Sequence, residues 1–250
     1  MGGVRLGQVL AVVSGKGGTG KTSLCAGIAC WLAAEGQKVL CIDADVGLRN
    51  LDISLGMTEE AALPFTAVMS GEYALHAAAV HPKLPGLHFL TAPVTVAPED
   101  VDTKQFAALL AQARQEYDWC LIDAPAGVGA GFRLAVCQAD LAIVVTGGEP
   151  AALRDGARTA QALEKCSRAQ AKIVVNRIRR KFFQRTKSTV DDCMDTVGLP
   201  LLGIVPEDEA IPMAAVSGTA LCFGRKKGAA LACLHIARRL LGKKQSLIHV

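Results

Sequence analysis

The sequence predicts an α/β fold: a doubly wound, mostly parallel sheet of about seven or eight strands with helices on both faces. Short apolar runs rich in Val, Ile and Leu, such as "VLAVV", "KVLCI", "WCLI", "LAIVV" and "KIVV", recur along the chain. Each is continuous rather than alternating, as strands buried on both faces require. Alanine-rich stretches of helical spacing separate them. At 51% hydrophobic content over 250 residues, the chain has enough apolar surface for a full core.

The first strand runs from about Val9 to Ser14 and enters a glycine-rich loop; "KTSLCAGIACWLAAEGQ" then reads as a helix closed by Gly36. "KVLCID" is the second strand. Residues 57–84 carry an interrupted helical pattern punctuated by Pro64, Gly71 and Pro82. A strand "GLHFLTAP", a helix around Thr103 to Glu116, the strand "WCLIDAP" and a helix from about Gly131 follow. The strand "LAIVVT", a helix from Leu153 to Lys165, the strand "AKIVVNR", a helix near Ser188 to Val197, the strand "LLGIVP" and a helix from Lys227 to Leu241 complete the series. No internal repeat or linker divides it, so one domain over residues 1–242 and a short tail, 243–250, are expected.

Composition excludes several classes. The net charge of +4 is a weak attraction to nucleic acid or anionic lipid. The nine cysteines form no CxxC and several sit in apolar runs, which predicts buried thiols in a reducing cytoplasm. The histidines show no HxxxH spacing, so no zinc site is expected. No segment reaches the roughly 18 apolar residues of a membrane span, and the apolar start reads as a core strand rather than a signal peptide.

Chemistry concentrates in the loop. Gly15-Lys16-Gly17-Gly18-Thr19-Gly20-Lys21-Thr22, followed by Ser23, satisfies G-x-x-x-x-G-K-[ST] between a predicted strand and a predicted helix. Glycines let successive backbone N–H groups face phosphate oxygens, and the helix start adds the positive end of its dipole. Lys21 would reach the β- and γ-phosphates and Thr22 would offer its hydroxyl to Mg²⁺. Carboxylates belong at the carboxyl ends of neighbouring strands, where a doubly wound sheet holds its ligand. "LCIDADVG" supplies Asp43 and Asp45, and "WCLIDAPAG" supplies Asp123. Carboxylates near the metal and near an attacking water are what phosphoryl transfer to water needs.

The loop "KGGTGKT", with its second lysine, is the deviant Walker A motif, and here the chain resembles the MinD/ParA family of P-loop ATPases. "IDADVGLRNLD", "DAPAG", "VNR" and "GIVPED" extend the likeness from Val9 to Gly242. The resemblance implies slow ATP hydrolysis with Mg²⁺ as cofactor, coupled to an ATP-dependent homodimer in which Lys16 reaches the partner subunit's nucleotide. It further implies that Asp45 orients the hydrolytic water, that Asp43 and Asp123 sit near the metal, and that Asn176 and Pro206-Glu207-Asp208 border the adenine. Glu149 and Asp155 match positions that contact the nucleotide of the other subunit.

"GLRNLD" favours the MinD branch, hence spatial regulation of bacterial division with protein regulators as partners and a cytoplasmic location, peripheral at most at the inner face of the membrane. The alternatives are a ParA-type partition ATPase that uses the basic run Asn176 to Lys187 on DNA, a flagellar-number regulator without its usual N-terminal extension, and a nucleotide-dependent scaffold. DNA is the less favoured partner, and Asp45 argues against a scaffold without turnover. An iron-sulfur carrier would need paired cysteines. The tail "KKQSLIHV" is too short for the family's membrane helix and is expected to fray. The basic run is expected to be a solvated helix with Phe182 and Phe183 turned into the core.

Overall fold

The computed structural model describes residues 6–186 and 188–248, with Phe182 described by its backbone alone. Eight strands form one sheet: β1 (Gln8–Ser14), β2 (Val39–Asp43), β3 (Ala79–His81), β4 (Leu84–Leu90), β5 (Trp119–Ala126), β6 (Leu141–Thr146), β7 (Gln170–Ile178) and β8 (Leu201–Pro206). Their order is β3-β4-β2-β5-β1-β6-β7-β8. All neighbours pair in parallel except β3 and β4.

The central strands are buried on both faces, which is why they read as unbroken apolar runs. Along β1, Leu10 and Val12 enter one core while Val9, Ala11 and Val13 enter the other. The first core lies beneath α1 (Lys21–Ala34) and α10 (Gly228–Leu240); the second lies beneath α4 (Thr103–Glu116) and α5 (Ala130–Val136). Helix α1 packs between the sheet and α10, so it is apolar nearly all round rather than striped. A third cluster joins α6 (Pro150–Cys166) and α8 (Val190–Val197) to β7. Local signals set the ends of these helices. Asp102 accepts from Lys104 N and Gln105 N to cap α4, and Thr189 with Asp192 forms a capping box on α8, which Gly198 closes.

Residues 57–84 depart from the expected helical pattern. They hold a short helix α3 (Phe65–Met69), which follows α2 (Leu51–Leu55), and end in the antiparallel edge strand β3. Three residues are too few to show a period, and β3 exists because β4 offers it an open edge. His81 secures that edge: Nε2 lies 3.0 Å from Leu55 O, and Nδ1 accepts from Lys83 N and Leu84 N.

The basic run forms α7 (Arg180–Thr186). Phe183 is half-buried against the third cluster, whereas Lys187 and the Phe182 side chain lie outside the described residues. The described part of the tail, residues 243–248, lies back against α10 rather than standing free as expected. Arg239 donates to Gln245 O at 3.1 Å, His235 Nδ1 meets Ser246 O at 3.0 Å, and Ile248 packs on the first core. Six of the nine cysteines are buried and none is bonded to another. Among the described residues no helix is long and apolar enough to cross a membrane, and no cluster of His, Cys, Asp and Glu could hold a metal by itself.

Candidate nucleotide-binding site

Strand β1 has β5 on one side and β6 on the other, and the connections leaving it and β5 run in opposite directions. This switch point opens a crevice at the carboxyl edge. The loop after β1 fills it. Gly18 and Gly20 take φ of 77° and 80°, and Gly20 caps α1 without a side chain, leaving the first turn's N–H groups unclaimed. The N–H groups of residues 17–20 likewise find no acceptor among the described residues. Three loop carbonyls, by contrast, are taken from outside. Ser14 Oγ donates to Lys16 O at 3.0 Å, Arg177 Nη1 to Gly18 O at 2.9 Å and Asn176 Nδ2 to Thr19 O at 2.7 Å. A loop with occupied carbonyls and free donors is an anion nest.

Beside it Lys21 Nζ donates to Asp123 Oδ1 at 2.6 Å, with side-chain exposures of only 6% and 1%. Thr22 stands beside Asp123 and acts, with Lys21, to lower its carboxyl, while Asp123 Oδ2 is buried without a hydrogen-bond partner. Asp43, on the neighbouring strand in register with Asp123, accepts from Asp45 N at 2.9 Å and Leu51 N at 3.2 Å. Burial, and then the charge of Asp123, pushes the Asp43 carboxyl up to about 7. Burial also raises Asp45, with Lys21 pulling it back, and raises Asp123 against the same opposing ammonium. A cation would relieve this crowding of carboxylates, and the orphaned Asp123 Oδ2 is an acceptor aimed into the site; the residues present therefore fit Mg²⁺.

On the other side of the loop lies an open cleft of about 910 Å³ lined by Gly20, Ser23, Asn176, Arg177, Pro206 and Glu207. Its size suits a nucleoside. Asn176 is buried, and its Oδ1 has no partner although Nδ2 is engaged, which leaves an acceptor for an amino group.

The nucleotide-binding domain model of the CobQ/CobB/MinD/ParA family matches residues 10–221. The septum site-determining protein MinD of Synechocystis sp. is 38% identical over 239 residues, 94% of this chain and 90% of that protein. The chain belongs to the MinD branch of this family. It is a MinD-type protein of cell division built on the nucleotide-binding domain of an ATPase family. Its fold agrees with that of MinD in the MinC:MinD cell division complex of Aquifex aeolicus, at a TM-score of 0.86 and 34% identity, over 97% of this chain and 98% of that one. It also agrees with Pyrococcus horikoshii MinD complexed with Mg-ADP, at a TM-score of 0.80 and 26% identity over 94% and 96%.

In this MinD-type chain the remaining sequence-derived residues fall into two groups. Lys16 and Asp155 stand together, Nζ 4.0 Å from Oδ2, on the open face of the loop. Glu149, at the start of α6, is exposed nearby in sequence. Pro206, Glu207 and Asp208 all line the cleft, as expected, and the Asp208 carboxylate is in addition engaged at two helix starts: Oδ1 accepts from Ala210 N and Oδ2 from Ala229 N, each at 2.9 Å. It ties α9 (Ala210–Val216) to the start of α10. Sequence reasoning met Arg177 only within "VNR" and as a member of the basic run Asn176 to Lys187, not as a residue that holds the loop.

Proposed function

We propose that this chain is a Mg²⁺-dependent ATPase that hydrolyses ATP slowly as a nucleotide-gated homodimer and so acts as a switch in choosing the division site. The observation that carries the reading is the meeting of Lys21, Thr22, Asp43, Asp45 and Asp123 at the carboxyl ends of three adjacent strands, against a loop of free N–H donors. The Mg-ADP bound by the Pyrococcus horikoshii relative supports the choice of ligand.

The loop N–H groups and Lys21 would hold the phosphates, while Thr22, Asp43 and Asp123 would hold the metal, directly or through its waters. Bound Mg²⁺ supplies charge neutralisation on the phosphate oxygens. Asn176 would accept from the adenine amino group, with Pro206 and Glu207 along the base. Asp45 keeps a raised, half-buried carboxylate beside Lys21, suited to orienting a water and accepting its proton. Lys16 would act in trans. Its contact with Asp155 joins side chains 49% and 30% exposed, so leaving it costs under about 1 kcal/mol. Placed against the partner's nucleotide, its charge would stabilise the transferring phosphoryl group as an arginine finger does. Glu149 and Asp155 would border that interface.

Partners would be protein regulators of division, as the MinC-bound relative suggests. Peripheral membrane contact would fall to the exposed Lys244 and Leu247 of the tail. DNA is the weaker partner, because Glu207 already pairs with Arg177 and Arg179 of the basic run.

ATP turnover with Mg²⁺, wild type against Asp45→Ala, tests the chemistry: at least a tenfold loss is expected, and equal rates would remove Asp45 from the mechanism. Sedimentation of Asp45→Ala with ATP and Mg²⁺ should show a dimer that Lys16→Ala abolishes; a monomer in both ends the trans assignment.

A further inference from the structure

Strand β7 does more than line the cleft. Its consecutive residues Asn176 and Arg177 seize the carbonyls of two consecutive loop residues, Thr19 and Gly18. In a trans peptide the carbonyl and the following N–H point in opposite directions. Holding Gly18 O and Thr19 O toward β7 therefore turns the N–H groups of Thr19 and Gly20 away from it, and these are donors left without acceptors.

Arg177 adopts a strained backbone for this purpose. Its φ is 57°, one of two positive values at non-glycine residues in the described chain, and the β7–β8 register slips between Val175 and Ile178 around it. Such a conformation persists only when the surroundings over-determine it. Glu207 at the end of β8 does so: Oε1 accepts from Arg177 Nη2 at 2.9 Å, and Oε2 binds Arg179. One guanidinium thus bridges the loop and the rim of the cleft.

We infer that Arg177 is a positioning residue for phosphate binding: anchored by Glu207 on a strained bulge of β7, it presets the loop's N–H donors through Gly18 O without itself contacting phosphate. The inference rests on the loop being the phosphate site of a nucleotide. It also makes the geometry of the cleft rim a determinant of phosphate affinity, since Glu207 serves both.

The test is displacement of a fluorescent ADP analogue, with Mg²⁺, by ADP and by inorganic pyrophosphate from the whole chain. Arg177→Ala, Arg177→Gly, Arg177→Lys and Glu207→Gln are compared with the wild type, and thermal unfolding is followed without nucleotide. Arg177→Ala and Arg177→Gly should weaken both ligands about tenfold. Arg177→Lys should not restore affinity, because an ammonium cannot bridge Gly18 O and Glu207 with the planar fork of a guanidinium. Arg177→Gly removes the side chain while accepting a positive φ, so its unfolding midpoint should stay at or above that of Arg177→Ala. Glu207→Gln should weaken both ligands by a smaller factor. Full affinity in Arg177→Lys would reduce Arg177 to a nearby charge and overturn the inference. Loss of ADP affinity with pyrophosphate unchanged would assign Arg177 to the base, and unchanged affinity for both would leave it no role. Failure of the wild type to bind ADP would strike instead at the nucleotide reading itself.

Discussion

Lys21 and Asp123 form a buried ion pair, Nζ to Oδ1 2.6 Å, beneath the phosphate loop. The ammonium that would meet phosphate is held in place by a carboxylate from the end of β5. Removing one partner strands the other charge in the interior. Asp123→Ala is therefore expected to destabilise the nucleotide-free protein by about 3–5 kcal/mol, whereas Lys21→Met combined with Asp123→Leu should recover most of that loss. Urea unfolding of the two variants checks this; equal destabilisation by both would show that packing, not charge, dominates.

Asp43 makes stability depend on pH. With its carboxyl raised to about 7 by burial and by Asp123, the folded chain holds a proton that the unfolded chain releases near the ordinary value of 3.8. The native state thus binds more protons between these limits, and this residue's contribution to stability falls as pH rises from about 4 to about 7. Asp43→Asn cannot titrate. In metal-free, nucleotide-free protein its stability relative to wild type should therefore improve across that range, by on the order of 4 kcal/mol if the whole shift is expressed. Unfolding curves at pH 5 and pH 8 should show roughly two-thirds of it, about 2.7 kcal/mol, and a difference independent of pH would refute the raised carboxyl.

His81 has the opposite sign. Its neutral ring accepts two backbone N–H groups at Nδ1, and burial lowers its pKa below 6.5. The unfolded chain takes up the proton first, so this contribution is present above about pH 6.5 and is lost as pH falls below it. His81→Asn should flatten the acid side of the stability profile; an unchanged acid slope would show that the ring is protonated in the fold.

The glycines of the loop are not equivalent. A Cβ at Gly17 would meet nothing within 4 Å, while one at Gly20 would stand 2.4 Å from Asn176 Nδ2 on a backbone with φ 80°. Gly17→Ala should leave the unfolding midpoint of the nucleotide-free protein nearly unchanged. Gly20→Ala should cost about 1–2 kcal/mol from the left-handed backbone alone, with further loss from displacing Asn176. Parallel thermal melts decide, and equal midpoints would contradict the loop geometry.

Asp208 is expected to stabilise the fold rather than bind the base. Asp208→Ala frees the N–H groups of Ala210 and Ala229 and should cost about 1–2 kcal/mol while leaving ADP affinity within about twofold of wild type. A large affinity loss with unchanged stability would return Asp208 to the adenine site.

The alternation of apolar runs and helical stretches made seven of the eight strands legible, because strands buried on both faces leave little choice of residue. β3 escaped notice because its three residues are held by β4 and by the ring of His81, contacts that no local pattern records. The loop motif and the carboxylates after β2 and β5 were equally plain, since the chemistry of phosphate and metal demands those residue types beside a strand end. Arg177 was not. Its role depends on a strained φ, on a register slip and on a salt bridge to a residue 30 positions away.

By itself, then, the sequence determined the α/β class, the family, the phosphate loop and the residue types gathered around it. Each of these depends on local spacing or on burial of a whole strand. Only the tertiary structure decided that Asp123 is the buried counter-ion of Lys21, that Asp208 caps helices and that Arg177 braces the loop. The first and last of these join residues more than 100 positions apart, and the order of strands in the sheet, not the order of residues, brings them within hydrogen-bond distance; the second depends on how α9 and the start of α10 meet after β8.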